Sequence, residues 1–94
     1  MRINRVIVSP EVAEKIERKH NVQDWEAQEI FFNEDAFLYT RRSQRVRGRY
    51  LAYGRTYTGR YFAVAYVHQR SGVAKVVSAR DMTSQERRQY EREN

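Results

Sequence analysis

The chain has 94 residues, which suffices for one small domain with a single core, so a functional site must share the surface of one folding unit. It contains no cysteine, which excludes disulfides, thiol nucleophiles and thiolate metal sites, and no run of about 18 apolar residues that could cross a membrane. The formal net charge of +6, from 18 basic and 12 acidic residues, favours an anionic partner.

The N-terminal segment predicts a short extended stretch followed by a helix. Residues 5–8 form either a short strand or an extended lead-in, and their apolar run is too short for a signal peptide, so we expect a cytoplasmic protein. Ser9 followed by Pro10 favours a helix start, because serine caps free amide groups and proline at the first helical position has no amide to cap. We predict a helix over residues 10–20 that ends before Asn21, a residue that tolerates the left-handed conformation.

The middle of the chain changes from helical to extended patterning. A second helix is predicted over residues 24–32, with Asp24 as its cap. Strands are predicted at residues 37–40, 49–57, 61–68 and 73–79. In the third of these, residues 61–68, apolar side chains occur on both faces of the strand, which is typical of a central strand covered on both sides.

The C-terminal segment predicts a helix over residues 84–92, because Thr83 and Glu86 have the spacing of a capping box. The order of elements then implies one α+β domain, residues 1–94. We expect a four-stranded antiparallel sheet with two N-terminal helices and one C-terminal helix, all on one side, so that the other side is free for a ligand.

The basic residues are concentrated in one part of the chain. Residues 41–80 contain ten basic and no acidic side chains, and nine of the ten are arginine, whose planar fork fits phosphate. A solvated charged surface is the alternative, but charges without acidic neighbours favour nucleic acid as a partner. We predict that Arg41, Arg42, Arg45, Arg47 and Arg55 bind nucleic acid and that Tyr53, if exposed, stacks on bases. The alternative for Tyr53 is a packing role, which is commoner for tyrosines in strands.

Three segments resemble one protein family. Residues 19–33, "KHNVQDWEAQEIFFN", are similar to the K-H-G-V-x-x-x-E-A-x-x-x-F segment of the BrnT toxins of type II toxin–antitoxin systems. Residues 49–67, "RYLAYGRTYTGRYFAVAYV", resemble the family's R-[WY]-x-x-x-G-x-x-x-x-G-R-x-[LF]-x-V-x-[YF] hairpin. Residues 75–91, "KVVSARDMTSQERRQYE", resemble its R-I-I-S-A-R-x-A-x-x-x-E-R-x-x-Y-E ending.

The resemblance implies a small ribonuclease with a RelE-like fold. Such a toxin cuts RNA without a metal ion or other cofactor and slows growth until a cognate antitoxin covers it. The antitoxin is expected to be a BrnA-like DNA-binding protein, and operator DNA would be bound only by the toxin–antitoxin complex.

Candidate catalytic residues are those that coincide with family positions and suit metal-free RNA cleavage. Arg49, Arg60 and Arg80 could stabilise the charge of the reacting phosphate, although each could instead be an exposed or ion-paired arginine. His20 is the candidate for proton transfer, with Lys19 as a phosphate ligand or a second acid or base. Both residues are equally explained as cations at a helix C-terminus. A metal site is not expected, because the two histidines are isolated and no paired carboxylates lie near them in the sequence.

One departure from the family pattern leaves two alternatives open. The family commonly has an acidic residue just before the hairpin arginine, whereas Val46, Arg47 and Gly48 precede Arg49 here. The missing acid could have oriented a catalytic arginine. A catalytically inactive RNA-binding module and a protein-interaction unit of the same fold are therefore the alternatives to an active toxin.

Overall fold

The chain folds around one mixed five-stranded sheet that carries helices on both faces. The computed structural model describes residues 3–94, so Met1 and Arg2 of the predicted domain lie outside the described residues. The elements in chain order are β1 (Arg5–Ile7), α1 (Pro10–His20), α2 (Asp24–Phe32), β2 (Tyr39–Arg42), β3 (Arg49–Arg55), β4 (Tyr61–Gln69), β5 (Val73–Asp81) and α3 (Ser84–Glu93). No helix in this part of the chain is long and apolar enough to cross a membrane.

The sequence signals at the helix ends produce the expected local structure in α1 and α3. The Ser9 hydroxyl accepts a hydrogen bond from the amide of Val12, and Asn21 closes α1 in the left-handed conformation at φ 54°. Thr83 and Glu86 form a reciprocal capping box at the start of α3. For α2 the predicted cap is wrong. The first residue outside this helix is Gln23 rather than Asp24, and the Glu26 carboxylate accepts from the Gln23 amide at 3.0 Å.

The sheet has the order β1-β5-β4-β3-β2, and the prediction of four antiparallel strands is wrong. Residues 5–7 are a true strand, and β1 pairs parallel with β5 through Val6 and Ala74, while all other neighbours are antiparallel. The first antiparallel strand lies two residues later than predicted, at Tyr39–Arg42. The next strand ends at Arg55, because Thr56 turns the chain back by donating its amide to the Arg60 carbonyl at 2.9 Å.

Helices α1 and α2 cover the first face of the sheet and enclose the main core. Ile16 from α1 and Ile30 from α2 pack with Phe62, Val64 and the other buried residues of the central strands. The two layers meet closely at Gly54 of β3, where a Cβ atom would lie 2.9 Å from the Ile30 Cβ. A side chain at this position would push α2 away from the sheet, which explains why glycine stands in the middle of a strand.

Helix α3 packs on the second face, so the prediction that all helices lie on one side is wrong. Tyr90 of α3 forms a second apolar cluster with Tyr53 and Ala63, and Phe37, Tyr39, Leu51, Tyr61 and Met82 pack around it. The Tyr90 hydroxyl donates to the Phe37 carbonyl at 2.5 Å, which fixes the helix to the segment before β2. The helix covers the end of the second face where β4 begins, and the rest of that face stays open.

A bulge in β5 decides which residues reach this open part. Tyr66 pairs with Val76, but the preceding Ala65 pairs with Ser78, so Val77 is an extra residue. Beyond the bulge the alternation is reversed, and Arg80, which pairs with Ala63, faces the second side of the sheet.

Candidate functional site

The open part of the second face is a small-residue surface bordered by cations, which we call the open half-face. Its floor consists of Leu51, Ala65, Val67 and Ser78, all only partly buried. The strand pairing places four cations on the same side as this floor: Arg41 on β2, Arg49 on β3, and Lys75 and Arg80 on β5. Residues 41–80 contain no acidic residue, and Asp81 at the end of β5 pairs with Phe62 and so faces the other side of the sheet. With four cations and Glu86 as the acidic partner of Arg80, the open half-face therefore presents net positive charge on a partly exposed surface.

Arg80 is the most firmly held of these cations. Its two terminal nitrogens donate to the two carboxylate oxygens of Glu86, Nη1 to Oε1 at 2.6 Å and Nη2 to Oε2 at 2.9 Å. The Arg80 side chain is 39% exposed and that of Glu86 is 17% exposed, so one side of the guanidinium remains accessible while the other is fixed. A cation that is oriented before a ligand arrives can stabilise developing negative charge without reorganising.

Glu86 joins the cap of α3 to the site. Its Oε1 atom also accepts the Thr83 amide at 2.9 Å, so one carboxylate closes the helix start and holds Arg80. The hydrogen bonds from Arg80 lower the pKa of Glu86, and the Thr83 amide adds to this against the opposing effect of burial. The same pairing raises the pKa of Arg80. Both groups are consequently charged throughout the neutral pH range.

Tyr53 extends this network to a second arginine. Its hydroxyl accepts from Arg41 Nε at 3.3 Å and Nη2 at 3.2 Å, and it lies 3.5 Å from Glu86 Oε2 as a donor. The Tyr53 ring is completely buried beneath α3. The predicted stacking of Tyr53 on bases is therefore wrong for this structure, because no ring surface is accessible. The hydroxyl instead links Arg41, through Glu86, to Arg80.

Arg60 lies on the opposite face of the sheet. Its Nη1 atom donates to the Asn21 carbonyl at 3.0 Å and to Glu26 at 3.1 Å, and its Nη2 atom lies 3.4 Å from Asp81. The guanidinium also lies over the Phe62 ring, 4.5 Å from its centroid. These contacts tie the end of α1 and the start of α2 to the sheet, so Arg60 has a sufficient structural role.

The structure separates the predicted catalytic residues into two groups. Lys19 and His20 immediately precede Asn21 at the end of α1 and so lie on the side of the sheet that carries Arg60. Arg49 and Arg80 lie on the open half-face. The other histidine, His68, also lies on the first face, which α1 and α2 cover and which we call the helix-covered side. There it pairs with buried Ala74 and contacts the Tyr50 ring. Neither histidine of the chain therefore reaches the open half-face.

The predicted RNA-binding arginines also lie in more than one place. Arg41 borders the open half-face, and Arg42, Arg45 and Arg47 lie at the adjoining end of the sheet, in and beside the loop between β2 and β3. Arg55 lies against the Tyr61 ring, 5.5 Å from its centroid, in a separate cleft near the C-terminal end of α3. The sequence pattern does not distinguish Lys75 or Ser78 as site residues. It predicts Glu86 as a helix cap, without its contact with Arg80.

The chemistry available on the open half-face is charge stabilisation. Within residues 3–94 no group of three or more His, Asp or Glu side chains converges as a metal-binding site would. Fixed arginines instead suit the oxygens of a phosphate group, which they can contact with two parallel hydrogen bonds.

The chain is similar to known proteins in its sequence profile and in its fold. The profile of the family described as "Ribonuclease toxin, BrnT, of type II toxin-antitoxin system" matches residues 10–86. The fold is similar to the crystal structure of the ribonuclease toxin BrnT of Brucella abortus, with a TM-score of 0.62 and 16% sequence identity over 85% of this chain and 97% of that one. No curated protein sequence matches significantly. Because the family profile spans most of the chain and includes α1 to the start of α3, this chain belongs to the BrnT family of ribonuclease toxins of type II toxin–antitoxin systems.

Proposed function

We propose that this protein is an active endoribonuclease that cleaves RNA on the open half-face without a metal ion and thereby inhibits translation or growth. The observation that carries the proposal is the guanidinium of Arg80, which Glu86 holds in a two-pronged contact on a surface without acidic strand residues. The cytoplasm is the compartment in which such an enzyme would meet its RNA.

In the proposed reaction the ribose 2′-hydroxyl attacks the adjacent phosphorus and loses its proton to solvent water. The bond from phosphorus to the 5′-oxygen breaks, and that oxygen takes a proton from water. The phosphorane that forms carries more negative charge than the substrate. Arg80 stabilises this charge, and Arg41, Arg49 and Lys75 hold the neighbouring phosphates. We do not place Lys19, His20 or Arg60 in this mechanism, because they lie on the helix-covered side of the sheet.

The proposed inhibitor is a cognate, BrnA-like, DNA-binding antitoxin. Membership of a type II toxin–antitoxin family supports a protein partner of this kind. An acidic segment of the antitoxin would fit the open half-face and neutralise its cations, which blocks access of RNA to Arg80. Operator DNA would then be contacted through the antitoxin and not through the toxin alone.

The test of this function is RNA cleavage by the purified protein in the presence of EDTA. We expect single-stranded RNA to be cut into fragments with 2′,3′-cyclic phosphate and 5′-hydroxyl ends, because the 2′-hydroxyl is the nucleophile. A matched RNA that carries one 2′-deoxyribose at a cut position should resist cleavage at that position only. RNA that stays intact with freshly folded protein, or that is cut only after a divalent metal ion is added, would contradict the proposal.

The second candidate function is an RNA-binding module without catalytic activity. The position of both histidines away from the open half-face favours it, since no imidazole is available there for proton transfer. This candidate predicts binding that weakens as salt is added, with no product after prolonged incubation. The cleavage experiment therefore distinguishes the two functions directly.

A further inference from the structure

A second cationic site lies where the loop between β2 and β3 meets the end of the sheet. A cleft of about 330 Å³ is lined there by Arg42, Ser43, Arg47, Gly48, Arg49 and Tyr50. We call it the hairpin cleft. Its lining contains three arginines and no acidic residue.

The backbone around the hairpin cleft is held in shape by hydrogen bonds. The Ser43 amide donates to the Arg49 carbonyl at 2.8 Å, and the Ser43 hydroxyl accepts from the amides of Arg45 and Val46 at 3.2 Å. Gly48 adopts a φ of 79°, which returns the loop to β3. The loop is thus folded in advance of any ligand, so little conformational entropy is lost when one binds.

The arginines of the hairpin cleft lack anionic partners. Within residues 3–94, none of Arg42, Arg47 and Arg49 forms an ion pair with a carboxylate. The Nε atom of Arg49 is buried and has no hydrogen-bond acceptor. Burial shields this nitrogen from a ligand in the cleft, so the exposed guanidinium groups of Arg42 and Arg47 are the main donors available there. The guanidinium of Arg42 lies over the Tyr50 ring, 5.9 Å from its centroid, which places it along the cleft wall.

The hairpin cleft borders the open half-face at Arg49 and is separate from Arg80. Its residues Arg42 and Tyr50 pair with each other and lie on the first face, so the cleft wraps around the end of the sheet. Arg49 belongs to both, because it lines the cleft and also shares a face with Val67 and Lys75. Arg80 lies level with Tyr53 across the sheet, because both pair with Ala63. Tyr53 is four residues beyond Arg49 on β3, which corresponds to roughly 13 Å of strand. Arg80 is also held towards α3 by Glu86. One phosphate therefore cannot occupy both places, whereas one RNA strand that crosses the floor and passes Arg49 at the end of the sheet can reach both.

We propose that the hairpin cleft is a second phosphate-binding site, which grips the RNA backbone at a phosphate other than the one that is cleaved. This inference rests on the proposed function and adds to it a requirement for substrate length. A short oligonucleotide at Arg80 does not reach the cleft, while a longer one gains the contacts of Arg42, Arg47 and Arg49. Guanidinium groups suit this role because they bind phosphate oxygens in pairs.

The experiment measures binding of single-stranded 2′-deoxy oligonucleotides of two and eight nucleotides by fluorescence anisotropy at several salt concentrations. These probes have phosphates but no 2′-hydroxyl, so binding is measured without cleavage. We expect the Arg42→Ala/Arg47→Ala variant to bind the long probe roughly tenfold more weakly and the short probe unchanged. The slope of log affinity against log salt for the long probe should fall by about 0.7 for each phosphate contact that is lost.

The matched control is a double variant that removes the same charge elsewhere, Arg88→Ala/Arg92→Ala, since both residues are exposed on α3. This control variant should retain most of the wild-type ratio between the affinities for the long and short probes. Arg42 and Arg47 are also exposed, so a circular dichroism melt should show that both double variants remain folded.

Three outcomes would overturn the inference. They are equal losses in the cleft and control variants, an unchanged preference for the long probe in the cleft variant, and no binding of either probe by the wild-type protein. If the cleft variant bound both probes normally but bound the antitoxin more weakly than the wild type does, the cleft would be assigned to an acidic protein instead. Because no cleavage is measured, failure of this inference is distinct from failure of the ribonuclease activity itself.

Discussion

Replacement of Arg80 by alanine is expected to reduce the single-turnover rate of RNA cleavage by about a hundredfold or more. The reason is that Arg80 is the cation that the fold fixes on the open half-face, through two hydrogen bonds to Glu86. Arg80→Lys should recover only part of the rate, because an ammonium group retains the charge but cannot contact Glu86 and a phosphate with the same planar fork. The rate should be measured at saturating enzyme, so that loss of binding does not obscure loss of chemistry.

Arg60→Ala provides the comparison that makes this result specific. Arg60 connects Asn21, Glu26 and Asp81 on the helix-covered side, so its loss should lower the melting temperature more than the rate of the folded enzyme. A larger rate loss in Arg60→Ala than in Arg80→Ala would show that the reaction takes place on the other side of the sheet. It would restore Arg60, Lys19 and His20 as the catalytic group.

Glu86→Gln is expected to lower the free energy of unfolding at neutral pH by about 2 kcal/mol and the cleavage rate roughly tenfold. The glutamine retains the shape of the side chain and an oxygen for the Thr83 amide, but it removes the charge that pairs with Arg80. Arg80 would then be less precisely oriented, and one variant should show both effects. Urea denaturation and single-turnover cleavage measure them separately.

The stability effect of Glu86 should depend on pH in a defined direction. Hydrogen bonds from Arg80, opposed by burial and assisted by Thr83, lower the pKa of Glu86 in the folded protein from its ordinary value of 4.5. A carboxylate with a lowered pKa stabilises the fold fully above its unfolded pKa, and that stabilisation is lost as the pH falls through the folded pKa. The difference in the free energy of unfolding between wild type and Glu86→Gln should therefore be constant above about pH 5. It should shrink as the pH falls below the ordinary pKa of a glutamate.

Glu91→Gln is the matched control, with the same substitution on the same helix. Glu91 pairs with Arg87 at 3.7 Å, and both side chains are more than half exposed, so the expected loss is below about 0.5 kcal/mol at any pH. Equal losses in the two variants, or a Glu86→Gln difference that grows as the pH falls, would contradict the role of Glu86 as the positioning residue for Arg80.

Local sequence signals predicted the helices and the central hairpin well, because the interactions that create them are local. Ser9 with Pro10, Asn21, and Thr83 with Glu86 each act within one helical turn. The parallel pairing of β1 could not be predicted in this way. A three-residue strand carries no measurable periodicity, and its partner β5 lies almost seventy residues further along the chain.

The composition of the site was predictable, but its arrangement was not. The acid-free block indicated a cationic surface, and the open half-face takes Arg41, Arg49, Lys75 and Arg80 from it. Strict alternation from buried Val76 would place Arg80 in the core, and only the bulge at Val77 turns it to the second face. The face on which Arg60 lies likewise depends on the turn that precedes β4. The structural similarity is to a BrnT toxin, and the RelE-like relationship that the resemblance implies stays a prediction.

The most direct test of the central claim is to map the RNA-binding surface by NMR, with an RNA whose 2′-hydroxyls are replaced by hydrogen so that it is not cleaved. If RNA binds on the open half-face, amide signals of Ala65, Val67 and Ser78 should shift progressively during the titration, while those around Asn21 should not. Shifts centred on Asn21 and Arg60, with the signals of the open half-face unchanged, would contradict the account.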